Sequence, residues 1–266
     1  MSLSDSPAAA SRAPSAPIVQ TIGLADLTGA LGDGWRDFRR APFYGLFFGA
    51  VYALGGWLII ALFGWLDRYY LGYPSAMGFA LIAPFVAAGT YEVSRRLEAG
   101  EALSPAAVLA DVWERAGKGL GALALVSLFT LVIWVDFAWF LMAMIYGIQL
   151  PSLSGFLGGL FTTPRGLAFL VIGNGVGALI AFAVFSITLV SPTLMVEREI
   201  DFVTAMVTSV RAVIANPRVL LVWAAIIGIS LAFCVATGFL ALLVVLPVLG
   251  HASWSMHRRL IAPARP

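Results

Sequence analysis

Apolar residues run together in five stretches: 43–66, 77–93, 120–148, 167–190, and a last block from 219 to about 254, with charge concentrated between them. A hydrocarbon layer about 30 Å thick is crossed by about 20 helical residues, so each of the first four stretches predicts one membrane span. The last block would make about 54 Å of helix, too long for one crossing and suited to two. Dividing it near Thr237-Gly238 gives six spans, at 43–66, 77–93, 120–148, 167–190, 219–236 and 238–256.

The segments before the first, third and fifth spans have a different period. In DLTGALGDGWRDFRR, Leu27, Leu31, Trp35 and Phe38 share one helical face. In SPAAVLADVWERAGK, Ser104 is placed to cap, Pro105 suits the first turn, and Val108, Leu109, Val112 and Trp113 form the stripe. In DFVTAMVTSVRAVIANPR, Asp201 is the cap and Phe202, Met206, Val210 and Val213 align. The pattern predicts an all-α membrane protein of three hairpins, each introduced by an amphipathic surface helix.

Two hairpin ends are alike. PFVAAGTYEVSRRL at 84–97 and PVLGHASWSMHRRL at 247–260 both open on proline, carry an aromatic at the eighth position and finish Arg-Arg-Leu. The middle hairpin ends more loosely, in SPTLMVERE. A parallel threefold repeat is the expectation, with all units pointing the same way across the bilayer, unlike the inverted pairs of many transporters.

Composition agrees: 61% of residues are hydrophobic, 11% charged, and mean hydropathy is +0.94, against about a quarter charged in soluble domains. The net charge of +2 says less than its distribution. With the amino terminus inside, all 16 Lys and Arg residues except Arg68 and Arg165 fall on the cytoplasmic side, so both termini are expected there. Residues 1–22, rich in Ala, Pro and Ser and without a signal-like apolar core, read as a disordered tail before a membrane domain at 23–262, and 263–266 as a short C-terminal tail.

Few residues suggest chemistry. Asp136 is the one acid well inside a span, about 24 Å along its helix, and Asn174 on the returning helix falls at similar depth. A hydrogen bond between them would satisfy a buried acid; a proton or cation relay and exposure toward the outer interface are the other readings. His251 lies about 10 Å from Arg258 along the helix, level with Glu92, so a Glu92–His251 contact is expected, with His257 solvated or lipid-facing. Two histidines cannot supply haem and copper ligands, the lone Cys234 excludes a multi-cysteine cluster, and no C-x-x-C-H, Walker, HExxH or GxSxG element occurs. No cofactor, metal, catalytic residue or nucleic-acid partner is expected. Acids are interleaved with the bases of the surface helices, which points to ordinary interfacial anchoring.

The stretches VEREIDFVTAMVTSVRAVIANPRVLLVWAAI and PVLGHASWSMHRRL resemble a bacterial family of integral membrane proteins, domain of unknown function 2189. The matching residues are Asp201, Phe202, Ala205, Ser209, Arg211, Asn216, Pro217, Gly250, His251, Ala252 and Trp254, and the resemblance is expected over 25–262. Some members carry a cytochrome c oxidase subunit label; none has a catalytic residue to transfer. The resemblance implies a multi-pass protein of the bacterial inner membrane whose partners are the bilayer and another membrane protein. A non-enzymatic accessory or assembly partner of a respiratory complex is the leading expectation. A small-solute or proton transporter or channel is the alternative, and lipid handling at the cytoplasmic surface a third.

Overall fold

The computed structural model describes residues 17–147 and 152–263. Its elements are helical: α1 (Leu24–Arg40), α2 (Pro42–Trp65), α3 (Tyr69–Phe79), α4 (Ala83–Val86), α5 (Ala88–Ala99), α6 (Pro105–Arg115), α7 (Gly121–Tyr146), α8 (Leu153–Leu160), α9 (Pro164–Thr188), α10 (Ser191–Glu197), α11 (Phe202–Ala215), α12 (Pro217–Ala236) and α13 (Leu242–Leu260). No strand occurs among the described residues, only an isolated bridge between Val19 and Ile261.

Local chemistry sets the breaks. Ala41 (φ −133°, ψ 55°) and Asn216 (φ −130°, ψ 47°) leave the helix in nearly the same conformation, each followed by proline at the first position of the next helix. Proline disfavours the α region for the residue before it but suits the first turn. Between α6 and α7 the chain is kinked within Ala116–Leu120, where Lys118 (φ −97°, ψ 21°) and Gly119 (φ +120°, ψ −24°) leave the helical conformation. The second expected span is broken by a 3₁₀ turn at Ala80–Ile82, just before Pro84 at the first turn of α4, and becomes the path α3–α4–α5, reaching from Tyr69 to Ala99 rather than 77–93; Pro74 lies inside α3.

Five helical paths are long and apolar enough to cross a membrane. The expected sixth span differs: it begins at Leu242 rather than 238, after a turn, and twelve of its 19 residues are buried, against five of 24 in α2. α13 is therefore the inner helix, packed on α1, α2 and α5. The approach of α1 is close enough that a Cβ on Gly34 would stand 2.5 Å from the Val248 carbonyl oxygen.

Both described chain ends meet at one end of the bundle. Gln20 N donates to Leu260 O (2.8 Å), and Ala262 N to Ile18 O (2.9 Å). Asn216 Oδ1 accepts from Ile22 N (2.8 Å) while its Nδ2 donates to Gln20 O (3.0 Å). Of the expected tail, 1–16 lies outside the described residues, as do Ile148 and 264–266, whereas 17–22 is tied into this end.

The largest buried cluster also lies here, joining Leu27 and Ala30 of α1, Tyr91 of α5, Leu194 of α10, Ala205 and Ala212 of α11, Trp223 of α12 and Met256 of α13. The surface helices are rotated from the expected faces. α1 buries Leu27, Ala30, Gly34 and Phe38 but leaves Trp35 exposed, and α6 buries Val108 while Leu109 and Trp113 face outward. α11 buries Ala205, Thr208, Ser209 and Ala212, with Phe202 and Met206 only partly covered. Small residues let the backbones approach closely, and large apolar ones are free to enter the lipid interface.

Candidate functional site

The end of α5 carries Glu92, fully buried. Three and four residues on, where a helix returns to the same face, Arg95 Nη2 lies 2.7 Å and Arg96 Nε 2.8 Å from Glu92 Oε1. Each guanidinium reaches a second acid: Arg95 to Glu101 (2.8 Å) and Arg96 to Asp111 of α6 (2.7 Å). The matching arginines of α13 do the same. Arg258 bonds Glu98 (3.0 Å) and Glu197 of α10, and Arg259 bonds Asp33 of α1 (3.0 Å). Thus α5 is bridged to α6, and α13 back to α1.

His251 and Glu92 do not meet. Ser94 Oγ donates to Asp37 Oδ2 (2.8 Å) and stands 2.7 Å from His251 Nδ1. With the serine proton on the carboxylate, the imidazole hydrogen belongs on Nδ1, and Nε2 is buried without a partner among the described residues. Glu92 is turned instead toward its own arginines, which outcompete a neutral imidazole for a buried carboxylate. His257, expected to be solvated, is buried, with Nε2 2.9 Å from Glu197. Its signal was the same Arg-Arg-Leu ending, which places it among acids. Asn216, which stood out in the sequence only through the resemblance, ties the segment before α1 to the α11–α12 break.

Two carboxylates on α1 differ. Burial raises the Asp37 carboxyl above its ordinary range, and Ser94, Arg36 and Arg40 oppose this only in part. Burial pushes Asp33 the same way, but hydrogen bonds from Ser255, Arg259 and Arg36 bring it below that range.

The other two expected residues lie in the apolar half and are not brought together. Asn174 Oδ1 accepts from Tyr73 Oη (3.2 Å) and its Nδ2 donates to Leu170 O (2.8 Å). It stands at the edge of an apolar cavity of about 250 Å³ between α3, α7, α9 and α12. Trp134, whose Nε1 donates to Pro74 O (2.7 Å), walls that cavity; Asp136 does not. Asp136 is exposed on the outside of α7, with no hydrogen bond or ion pair among the described residues. The helix puts Trp134 inward, which turns Asp136, two residues on, away from α9.

A second cavity, of about 580 Å³, opens at the charged end between the α6–α7 break and the segment after α10. It is lined by charges of both signs, among them Glu114, Arg115, Lys118, Arg198 and Glu199. Among the described residues, no group of three or more His, Cys, Asp or Glu side chains is placed to hold a metal ion.

Residues 72–197 match the model of a family described as "predicted integral membrane protein (DUF2189)". The matched segment runs from α3 to the end of α10, narrower than the expected 25–262, and holds Glu92, Asp136 and Asn174 but not His251. Comparison with curated proteins and with solved structures finds no match. The family match and the apolar helices together describe a multi-pass integral membrane protein; neither supports the oxidase label.

Proposed function

We propose that this integral membrane protein is a non-enzymatic accessory that binds another membrane protein side-on through α7, with Asp136 as the polar contact. The observation that carries the reading is an unpaired carboxylate on a lipid-facing surface. Val132, Ile133, Trp139 and Phe140 are all about half exposed and share the face of Asp136 by helical spacing. A charge at that depth is costly in hydrocarbon and is normally paired inside a bundle, so a partner helix offering an Arg, Lys or amide donor there fits the face.

The transporter alternative needs a polar path through the spans. The mid-membrane cavity is nearly all apolar and Asp136 is not part of its wall, which favours the accessory reading. That the partner belongs to a respiratory complex rests on the resemblance alone. The same proposal takes the membrane to be the bacterial inner membrane and the charged end to be cytoplasmic, as the placement of Lys and Arg favours. It takes the chain as three hairpin units, for which the matched breaks at Ala41-Pro42 and Asn216-Pro217 are support.

A photo-crosslinking residue at Ile133 or Phe140, used in native membranes, tests it. A discrete adduct with one other membrane protein is expected, lost in Asp136→Leu. No adduct, or one indifferent to that substitution, overturns the reading; an adduct between two copies of the chain replaces it with self-association.

A further inference from the structure

The charged cavity after α6 lies apart from the α7 face; it borders the buried Glu92 network through Asp111 and Arg115, and its charges are incompletely matched. Its volume of about 580 Å³ falls within the roughly 300–1,000 Å³ usual for small-ligand sites. It sits where apolar spans end: Lys118 comes just before α7 begins at Gly121, and the buried apolar run of α10 stops at Val196. On the same surface helix Leu109 and Trp113 are exposed, as side chains anchored in a lipid interface would be.

Arg115 is held in place by Nη1, which donates to Met195 O (3.2 Å), while Nη2 is 3.9 Å from Glu92. Its Nε is buried with no partner among the described residues. Nε itself is closed to a ligand, but the side chain keeps 27% of its surface exposed, and an accessible guanidinium is a strong donor to a phosphate oxygen. The acids around it are of two kinds. Asp111 is engaged by Arg96, and Glu197 by His257 and Arg258. Glu114 and Glu199, by contrast, share the single cation of Lys118, at 2.7 and 3.5 Å. Two carboxylates on one ammonium leave a negative charge that a second ammonium would neutralise. The excess of acids in the lining disfavours a purely anionic ligand.

We propose that this cavity binds the headgroup of a zwitterionic phospholipid with a primary amine, its phosphate on the part-exposed Arg115 guanidinium and its ammonium between Glu114 and Glu199. A primary ammonium can donate hydrogen bonds to both carboxylates; a quaternary one cannot.

The test is native mass spectrometry of the full chain, delipidated in detergent and titrated with phosphatidylethanolamine, phosphatidylcholine or phosphatidylglycerol of identical acyl chains. One phosphatidylethanolamine is expected to bind about tenfold more tightly than either other lipid, the effect of a single hydrogen bond to a charged group. Glu199→Gln should abolish the preference over phosphatidylcholine, and Arg115→Lys should weaken all three. Because Arg115 also holds the Met195 carbonyl, Glu199→Gln, at a fully solvated side chain, keeps the test decisive if the Arg115 variant does not fold. Equal binding of the three lipids, or a preference surviving Glu199→Gln, overturns the proposal. So does soluble phosphoethanolamine binding as tightly as the lipid, which would assign the site to a free amino-phosphate.

Discussion

The charged end of the bundle and the half opposite are built from the same helices but held by different forces. At the charged end the surface helices, the returning helix ends and most of α13 enclose a core like that of a soluble domain, sealed by ion pairs between elements far apart in sequence. In the opposite half the helices present apolar side chains outward; in the most apolar stretch of α9–α10 only 11% of residues are buried. Contacts there are chiefly aromatic, around Tyr70, Phe156 and Phe169. In lipid, apolar burial gains little because the tails are as apolar as the side chains, so packing and hydrogen bonds decide association. Stability should therefore be concentrated at the charged end, while the other half is free to serve a partner.

The sharpest way to break this comparison is Glu92→Leu. Removing one member of a buried ion pair costs about 3–5 kcal/mol because the partner charge is stranded. Arg95 and Arg96 keep Glu101 and Asp111, so the low end, about 3 kcal/mol, is expected, read as a lowered unfolding midpoint in mixed micelles. An unchanged midpoint would mean the network is ornamental. Next is Gly34→Ala. Its Cβ would press on the α13 backbone at Val248 and Ala252, where neither helix can give way without opening the core; overpacking of this kind costs about 1–3 kcal/mol. Gly32→Ala, also inside α1 but with open space around it, is the control and should hold or raise the midpoint, by up to about 1 kcal/mol of helix propensity.

Much of this division was legible in the sequence. Runs of apolar residues marked five helical paths long and apolar enough to cross a membrane, and the periodicity of the intervening segments marked α1, α6 and α11, because both signals depend only on neighbours in the chain. The Arg-Arg-Leu endings at 95–97 and 258–260 marked the charged end correctly. Pairings between helices were not legible. Asp136 and Asn174 were expected at one depth, but depth does not fix rotation about a helix axis, and Trp134 takes the inward direction that the pairing needed. For Glu92 and His251 the partner differs from the expected one, since two arginines on the same helix and a serine across the interface compete better. Rotation also explains the surface helices: Leu27, Phe38, Val108 and Val213 are buried as expected and Phe202 and Met206 pack on the core, but Trp35, Leu109 and Trp113 face outward, with small residues such as Ala205 and Gly34 inside.

In the opposite half the test is Phe156→Ala. Phe156 is buried among Tyr146 (5.8 Å between ring centroids), Phe169 (5.9 Å) and Tyr69 (6.3 Å). In a water-soluble core such a truncation costs about 3–5 kcal/mol. Here an acyl chain or detergent tail can occupy the space, and a loss of about 1 kcal/mol is expected, the size of the aromatic contacts themselves. A loss as large as that of Glu92→Leu would erase the distinction between the two halves.

The smallest effect sharpens the comparison from within the charged end, through Asp33 and Asp37, two of the three carboxylates of α1. Asp33 sits below its ordinary value of 3.8 in the folded protein, so the unfolded chain takes up its proton first on acidification. Its contribution is present above pH 3.8 and is lost as pH falls through the lower folded value. Asp37 is raised above 3.8, so the folded protein binds the proton more readily. Stability from this group increases as pH falls from above the folded value toward 3.8, and its ionised form is a burden at neutral pH. Asp33→Asn should flatten the acid limb of the midpoint against pH. Asp37→Asn, which imitates the protonated state and keeps an acceptor for Ser94 Oγ, should hold or raise the neutral midpoint and remove the rise on mild acidification. If both substitutions move the curve in the same direction, the two carboxylates do not occupy different environments, and the contrast between an ion-paired and a desolvated acid on adjacent turns of α1 fails.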